Sequence, residues 1–197
     1  MNILVTAGPT REPIDPVRFI SNRSSGKMGY AVAHAAAQRG HEVRLISGPV
    51  GLSCPEGVER TDVITAAQML NAVEERIEWC RCLVMAAAVA DWCPAAVSTS
   101  KLKKRGMPDK LQLKRTPDIL ETICPRKGRR VFVGFAAETG DLVAEARRKL
   151  VSKGLDLVVA NDVSRADAGF EVDSNIVTFV QPGNSIEALP MMPKTAV

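Results

Sequence analysis

The chain has 197 residues and a formal net charge of +4, with 46% apolar and 24% charged residues. A chain of this length buries roughly 70% of its unfolded surface, so we expect one domain over residues 1–197. No run of 18 uncharged apolar residues occurs and only 4% of the residues are aromatic, which argues against a membrane span and against nucleic-acid binding.

The predicted elements alternate between short apolar strands and segments of helix length. In chain order, strands are predicted at 2–8, 41–47, 82–90, 131–137 and 156–160, and helices at 27–39, 66–80, 117–124 and 141–153. Continuous apolar strands between helices are typical of a parallel sheet that is covered on both faces. Right-handed crossovers then give an α/β fold, a Rossmann-like three-layer sandwich with a mostly parallel sheet.

Glycine and proline mark the helix ends. Gly40 and Gly154 follow two predicted helices as C-terminal glycines, and Pro117 is predicted to occupy the first turn of the helix that it opens. After Asn161 the pattern changes to two runs of period two, joined around residues 182–184. These runs predict a C-terminal antiparallel hairpin that extends the sheet.

Polar side chains follow the predicted strands. Hydroxyl, carboxylate and amide groups stand at Thr6–Thr10, Asp91, Glu138–Thr139 and Asn161–Asp162. In an open α/β sheet, ligands bind beyond the carboxyl ends of the strands, so we expect a polar site at this edge. Asp91 can accept hydrogen bonds from ribose hydroxyls or a base amine, although aspartate after a strand is also a common turn former.

The segment Ser24–Gly29 (SSGKMG) precedes an alanine-rich helix. Free backbone amides and a partial positive charge at the helix start favour an anion there, and Gly26 allows it to approach closely. The segment matches neither GxxxxGK[ST] nor GxGxxG, so it is a phosphate cradle of another kind or an ordinary helix start with packing glycines.

Two groups of cations are further candidates. Residues 101–115 hold seven Lys or Arg against one Asp, which predicts a mobile loop that closes over a small polyanion, or else a solvated charged loop. Lys149 and Lys153 lie four residues apart on one helix face, where both can meet the same anion, although exposed helices carry such pairs routinely.

Other chemistries are disfavoured. A dinucleotide reductase needs a carboxylate after its second strand, where this chain has Ser47. A short-chain dehydrogenase also needs a tyrosine with a lysine four residues later, but the only tyrosine, Tyr30, has His34 at that place. The five cysteines and two histidines lack the spacing of a zinc site or a disulfide framework. The predicted first strand begins at once, which leaves no room for a secretory signal peptide in this sequence. We therefore expect a cytoplasmic protein.

Several blocks together resemble a known family. The segments ILVTAGPTREPIDPVRFISNRSSGKMG, AAAVADW, KLKK, TPDIL, VGFAAET and ANDVS, in this order, are similar to the phosphopantothenate–cysteine ligase domain of bacterial coenzyme A biosynthesis. The resemblance runs from residue 2 to about 190. It implies a Rossmann-like homodimer that uses CTP and Mg²⁺ to join 4′-phosphopantothenate to L-cysteine through an acyl-cytidylate intermediate.

The resemblance also assigns roles to residues, with the metal ligands left open. Asn22 and Lys101 are the expected catalytic residues. The expected nucleotide-binding residues are Ser24, Ser25, Gly26, Met85, Ala86, Ala87, Asp91, Lys101, Pro117, Asp118, Ile119, Leu120, Phe135, Lys149 and Lys153. The expected substrate-binding residues are Arg18, Asn22, Ala87 and Ala88, with Arg18 meeting the substrate phosphate. The Ser24–Gly29 segment is expected to hold the triphosphate.

Family members usually form the C-terminal half of a fusion with a flavin-dependent decarboxylase and continue into a final helix. We therefore expect a stand-alone or excised ligase domain, with a decarboxylase as a partner. A non-catalytic nucleotide-binding module is the alternative from another class, and a dinucleotide-dependent reductase is a weaker one.

Overall fold

The computed structural model describes residues 1–103, 110–138, 140–162 and 174–197. The strands are β1 (Asn2–Ala7), β2 (Arg11–Pro13), β3 (Phe19–Ser21), β4 (Glu42–Ser47), β5 (Val58–Asp62), β6 (Cys82–Met85), β7 (Trp92–Pro94), β8 (Leu113–Arg115), β9 (Val131–Glu138), β10 (Leu157–Asp162), β11 (Ser174–Asn175), β12 (Val177–Val180), β13 (Ile186–Ala188) and β14 (Met192–Pro193). The helices are α1 (Lys27–Gln38), α2 (Ala66–Glu74), α3 (Ile119–Ile123) and α4 (Leu142–Ser152), with 3₁₀ turns at Cys124–Arg126 and Pro182–Asn184.

Eight strands form one sheet in the order β5-β4-β1-β6-β9-β10-β12-β13. The pairs from β5 to β10 are parallel, whereas β12 and β13 are antiparallel additions at one edge. The chain winds outward from β1 in one direction and from β6 in the other, so the switch point of the sheet lies between β1 and β6. The predicted Rossmann-like sheet and its C-terminal hairpin are confirmed.

Alternate side chains of the central strands fill two apolar cores. Ile3 and Val5 of β1 point to the face that α1 covers, where they pack with Tyr30 of that helix. Leu4 points to the opposite face, which α2, α3 and α4 cover, and belongs to the same cluster as Phe132 of β9. This alternation is the period of two that a β-strand imposes, and burial on both faces explains the continuous apolar runs.

Several predicted boundaries were wrong. The strand predicted at 82–90 leaves the sheet after Met85, because an apolar run does not distinguish a strand from an extended segment buried beside one. The helix predicted at 66–80 ends at Glu74 and is followed by turns. β5 was not predicted, because its sequence VERTD is polar and only one strand, β4, flanks it.

Two of the three residues predicted at helix ends are confirmed, and the third is corrected. Gly40 and Gly154 have φ values of +76° and +59°, as C-terminal glycines of helices require. The side chain of Asp118 caps α3 by accepting from the Glu121 amide at 3.0 Å, so Pro117 stands before the cap and not in the first turn.

Three small two-stranded sheets are separate from the main sheet: β2 with β3, β7 with β8, and β11 with β14. β8 lies at the end of the basic segment, of which residues 104–109 lie outside the described residues. No helix in the described ranges has the length and the apolar run that a bilayer crossing needs.

Candidate functional site

A cleft of about 1090 Å³ opens at the carboxyl ends of β6 and β9, next to the switch point. The start of α1 lines one side of the cleft, and the start of α3 lines the other together with Lys149 and Lys153 at the end of α4. The position is the one at which open α/β sheets bind their ligands. The sheet order therefore brings distant parts of the chain to one site.

The beginning of α1 is fitted closely against β1. Gly26 is the N-cap residue with φ +77°, a left-handed conformation in which a side chain is strained. A Cβ atom at Gly29 would lie 2.5 Å from the Cβ of Ala7. These two glycines let the helix start close to the end of β1, and the whole segment Ser24–Gly29 lines the cleft.

Beyond β6, residues 86–89 form a main-chain wall along the cleft. The amide of Ala88 donates to the Gly8 carbonyl at 2.9 Å, and the amide of Ala90 donates to the Thr10 hydroxyl at 3.0 Å. The wall is thus held by the segment that follows β1. Because its side chains are alanines and one valine, the wall presents mainly backbone groups and small apolar surfaces to the cleft.

Asn22 is bound to this main-chain wall. Its Nδ2 donates to the carbonyl oxygens of Ala88 and Val89 at 3.2 and 3.0 Å. These two contacts fix the plane of the amide at the rim of the cleft. The amide oxygen, Oδ1, is then the atom that remains to accept from a ligand.

Lys149 lies on the opposite side of the cleft, on α4. Its Nζ donates to the carbonyl of Phe135 at 2.5 Å. Burial lowers the pKa of this ammonium below the ordinary 10.5, while the carboxylates of Glu138 and Asp118 oppose the shift. A half-buried cation is therefore positioned beside the end of β9.

Lys153 directly follows the last residue of α4 and is paired with α3. Its Nζ donates to Asp118 at 2.7 Å and to Glu121 at 3.0 Å. The bond to Asp118 raises the pKa of Lys153 above 10.5. Burial acts to raise the pKa of Asp118, but the bonds from Lys153 and the Glu121 amide outweigh it and lower that pKa below 3.8.

Arg18 and Lys101 do not line the cleft. The guanidinium of Arg18 is paired with Asp15 and donates to the Leu102 carbonyl at 2.9 Å, while the Leu102 amide donates to Asp15 at 3.1 Å. Arg18 and Asp15 therefore hold the backbone immediately after Lys101. Lys101 itself is exposed.

The other predicted site residues come together. The cleft is lined by Asn22, Ser24, Ser25, Gly26, Met85, Ala86, Ala87, Ala88, Asp91, Pro117, Asp118, Ile119, Leu120, Phe135, Lys149 and Lys153. Arg115 of the predicted basic segment also lines the cleft, whereas sequence reasoning missed Arg23, Asn175 and Lys194, which line it too. Asn175 and Lys194 lie near the C-terminus, where the only signal was the hairpin pattern.

The described residues contain no group of three or more His, Cys, Asp or Glu side chains that could hold a metal ion. Mg²⁺ is commonly held by one or two carboxylates together with substrate phosphates, and it does not need a cage of protein ligands. Single carboxylates such as Asp91 and Glu138 line the cleft and fit that mode of binding.

The fold and the cleft define an α/β protein of the Rossmann-like class with its ligand site at the switch point of the sheet. The chain belongs to the family described as DNA/pantothenate metabolism flavoprotein C-terminal domain, whose model matches residues 1–197. The family resemblance noted from the sequence motifs is thereby confirmed.

Individual relatives agree with the family match. The coenzyme A biosynthesis bifunctional protein CoaBC of Bacillus subtilis (strain 168) is 50% identical over 198 residues, covering 100% of this chain and 48% of the relative. CoaBC of Escherichia coli (strain K12) is 48% identical over 191 residues, covering 94% and 47%. The crystal structure of a CoaBC C-terminal domain is 40% identical with a TM-score of 0.84, covering 99% of this chain and 88% of that one. The chain thus spans about half the length of these curated relatives.

Proposed function

We propose that the chain is a CTP-dependent phosphopantothenate–cysteine ligase of coenzyme A biosynthesis. The observation that carries the proposal is the shared cleft, which all the residues assigned by the family resemblance line except Arg18 and Lys101. Membership of the family and the similarity to CoaBC proteins support it. The proposal also treats residues 1–197 as one cytoplasmic ligase domain.

The proposed reaction has two steps. A carboxylate oxygen of 4′-phosphopantothenate attacks the α-phosphorus of CTP, the bond from that phosphorus to the bridging oxygen breaks, and pyrophosphate leaves. The amine of L-cysteine then attacks the acyl carbon of the acyl-cytidylate, CMP leaves, and the nitrogen loses a proton to form the amide. Both steps need positioned groups and cations, without a protein nucleophile.

The cleft offers these positioned groups. Amides at the start of α1 and the small residues of Ser24–Gly29 suit the triphosphate. The main-chain wall and Asp91 suit the base and the ribose, with Phe135 packing nearby. Asn22, fixed by the wall, suits the acyl intermediate. Mg²⁺, when bound with the nucleotide, would neutralise charge that develops on the phosphates.

Lys101 is proposed to reach the reacting phosphate from outside the cleft. Asp15 and Arg18 bind the backbone of Leu102, the residue after Lys101, and so hold the start of the basic segment in place. Closure of a cationic segment over a bound triphosphate would exclude water and strengthen each contact.

We also propose a homodimer. Exposed apolar side chains are concentrated on the β2–β3 and β7–β8 pairs and their flanks, namely Val17, Phe19, Trp92, Val97, Leu111 and Leu113. β2 contacts β7, so the two pairs form one exposed region. Apolar surface of this kind is commonly buried by a partner. Because the CoaBC relatives are about twice as long and are named bifunctional, a decarboxylase domain is proposed as a second partner.

The test is pyrophosphate release from CTP with Mg²⁺, with and without 4′-phosphopantothenate and L-cysteine. We expect release that depends on phosphopantothenate. Lys101→Gln and Asn22→Asp should each lower turnover at least tenfold, about 1.4 kcal/mol in the barrier, without changing the unfolding transition. Full activity in both variants would refute the residue assignments. Nucleotide binding without any pyrophosphate release would favour a non-catalytic binding module, and saturable NADPH binding would favour a reductase.

A further inference from the structure

Thr10 is a buried threonine in the segment that joins β1 to β2. It has no exposed surface, and it does not line the cleft. A threonine hydroxyl is costly to bury unless it takes part in a hydrogen bond, so its partner shows what the side chain does. The partner of the Thr10 hydroxyl lies at the end of the main-chain wall.

Thr10 contacts this part of the chain on both sides of Val89. Its amide donates to the carbonyl of Ala88 at 3.2 Å, and its hydroxyl accepts from the amide of Ala90 at 3.0 Å. Its own carbonyl accepts from the hydroxyl of Ser21, the last residue of β3, at 2.7 Å. Thr10 therefore joins the main-chain wall to the end of β3.

Asn22 and the Thr10 hydroxyl bind the same peptide group, the one between Val89 and Ala90. Its carbonyl oxygen accepts from Nδ2 of Asn22 at 3.0 Å, and its N–H group donates to the hydroxyl of Thr10 at 3.0 Å. A trans peptide group is planar, so the two hydrogen bonds lie on opposite edges of one rigid plane. A rotation of that plane would turn the carbonyl away from Asn22.

The Thr10 hydroxyl is the buried anchor of this peptide group. Ala90 is buried, whereas Asn22 on the other edge of the plane is exposed. The next peptide group is held separately, because the Ala90 carbonyl accepts from the hydroxyl of Thr116 at 2.5 Å. The hydrogen bond to Thr10 therefore fixes the plane between Val89 and Ala90 from inside the protein.

We propose that Thr10 is a positioning residue that orients Asn22 for the reaction. The inference rests on the proposed function, in which the Asn22 amide meets the acyl intermediate. Thr10 touches no ligand itself and acts through the peptide group between Val89 and Ala90. Because a displacement of about 1 Å can lower a rate about 100-fold, loss of the Thr10 hydroxyl should reduce turnover more than nucleotide binding.

The first test compares Thr10→Val with Thr10→Ser in pyrophosphate release from CTP with Mg²⁺, 4′-phosphopantothenate and L-cysteine. Valine has the shape of threonine without the hydroxyl, so kcat should fall about tenfold while KM for CTP stays within about twofold. Serine keeps the hydroxyl and should restore kcat to within about threefold of the unaltered chain. An unchanged kcat in Thr10→Val, or a serine variant as slow as the valine variant, would overturn the proposal.

A double-mutant cycle separates positioning from a general loss of structure. In the Asn22→Ala background, Thr10→Val should change kcat less than about twofold, because the group that Thr10 positions is gone. Thr6→Val is the matched control, since Thr6 is also fully buried and its hydroxyl accepts at 3.3 Å from a different peptide group, the one between Ala86 and Ala87. Its effect on kcat should be the same in both backgrounds. Equal effects of Thr10→Val in both backgrounds would contradict the proposal.

A measurement without substrates covers the case in which Thr10→Val does not fold. Asn22 is exposed, so Asn22→Ala is expected to fold. Hydrogen exchange of the Ala90 amide should be several-fold faster in Asn22→Ala than in the unaltered chain, because the peptide group loses one of its two partners. Equal exchange would show that Asn22 and Thr10 are not coupled and would overturn the proposal. If the unaltered chain releases no pyrophosphate, the proposed function fails, whereas the exchange result still tests the contact.

Discussion

The ammonium of Lys149 donates a 2.5 Å hydrogen bond to the carbonyl of Phe135, which joins α4 to β9 at the edge of the cleft. The bond holds a half-buried positive charge beside the carboxyl ends of the strands. Burial lowers the pKa of this lysine, so its charge is more sensitive to alkaline pH than that of an exposed lysine.

Lys149→Met removes this charge and keeps an apolar stem of similar length. We expect nucleotide affinity to fall about tenfold at neutral pH, about 1.4 kcal/mol. In the unaltered chain, affinity should decline as pH rises through the lowered pKa of Lys149, because the ammonium loses its proton, and the variant should lack this part of the pH dependence. Calorimetric titrations between pH 7 and 10 measure both effects. An identical pH profile for the two proteins would contradict the assignment.

Asp118 both caps the N-terminus of α3 and forms an ion pair with Lys153. Asp118→Ala should cost about 1 kcal/mol of unfolding free energy, whereas Asp118→Asn, which still caps, should cost a few tenths. The folded pKa of Asp118 lies below 3.8, so its carboxylate contributes stability that is fully present above pH 3.8 and lost as pH falls through the folded pKa. Urea unfolding at pH 7 and pH 3 should show this loss in the unaltered chain and a smaller one in Asp118→Asn.

Asp15→Asn tests whether the start of the basic segment is held in place. The Asp15 carboxylate accepts from the amides of Val17, Arg18 and Leu102, and it is also paired with the guanidinium of Arg18. An asparagine would turn one N–H group toward these donors. We expect faster exchange of the Leu102 amide, faster tryptic cleavage after Lys101, and a lower turnover.

The pH at which Asp15 loses these hydrogen bonds can also be tested. Arg18, with help from the backbone amides, holds the pKa of Asp15 far below its usual range. The contact should therefore persist as pH falls below 3.8 and be lost only when pH passes through the lowered pKa. Leu102 amide exchange that accelerates already near pH 4 would argue against it.

Gly29→Ala tests the close fit of α1 on β1. The added Cβ would lie 2.5 Å from the Cβ of Ala7, so we expect a loss of about 1–3 kcal/mol in unfolding free energy. Gly51→Ala is the matched control, since a Cβ there meets no atom within 4 Å and its φ is not positive. Chemical denaturation of both variants measures the difference, and equal stability would show that α1 shifts without cost.

The sheet could be predicted from the sequence because its central strands are buried on both faces and therefore read as continuous apolar runs. The same rule failed in two places. The edge strand β5 has a polar sequence and no apolar run, so it was not predicted, and the segment after Met85 is apolar but lies outside the sheet. Pattern alone does not report which extended segments pair with a neighbour.

The site was predictable where it follows strand ends and helix starts, as at Asp91 and Ser24–Gly29. Lys194 was not, because it follows β14, which pairs with β11, and strands of two residues each leave no pattern in the sequence. Arg18 and Lys101 were predicted as ligand contacts by resemblance. Neither residue lines the cleft, and the contacts of Arg18 with Asp15 and Leu102 could not be predicted from a local sequence pattern.

The main-chain wall formed by residues 86–89 has a consequence for which substitutions this protein tolerates. Groups that belong to the backbone are the same whichever amino acid the gene specifies, so exchanging one small residue for another there alters recognition little. Bulky replacements would instead fill the space that a ligand needs. Random mutagenesis should therefore recover active variants at these positions with glycine, alanine or serine, and very few with larger residues.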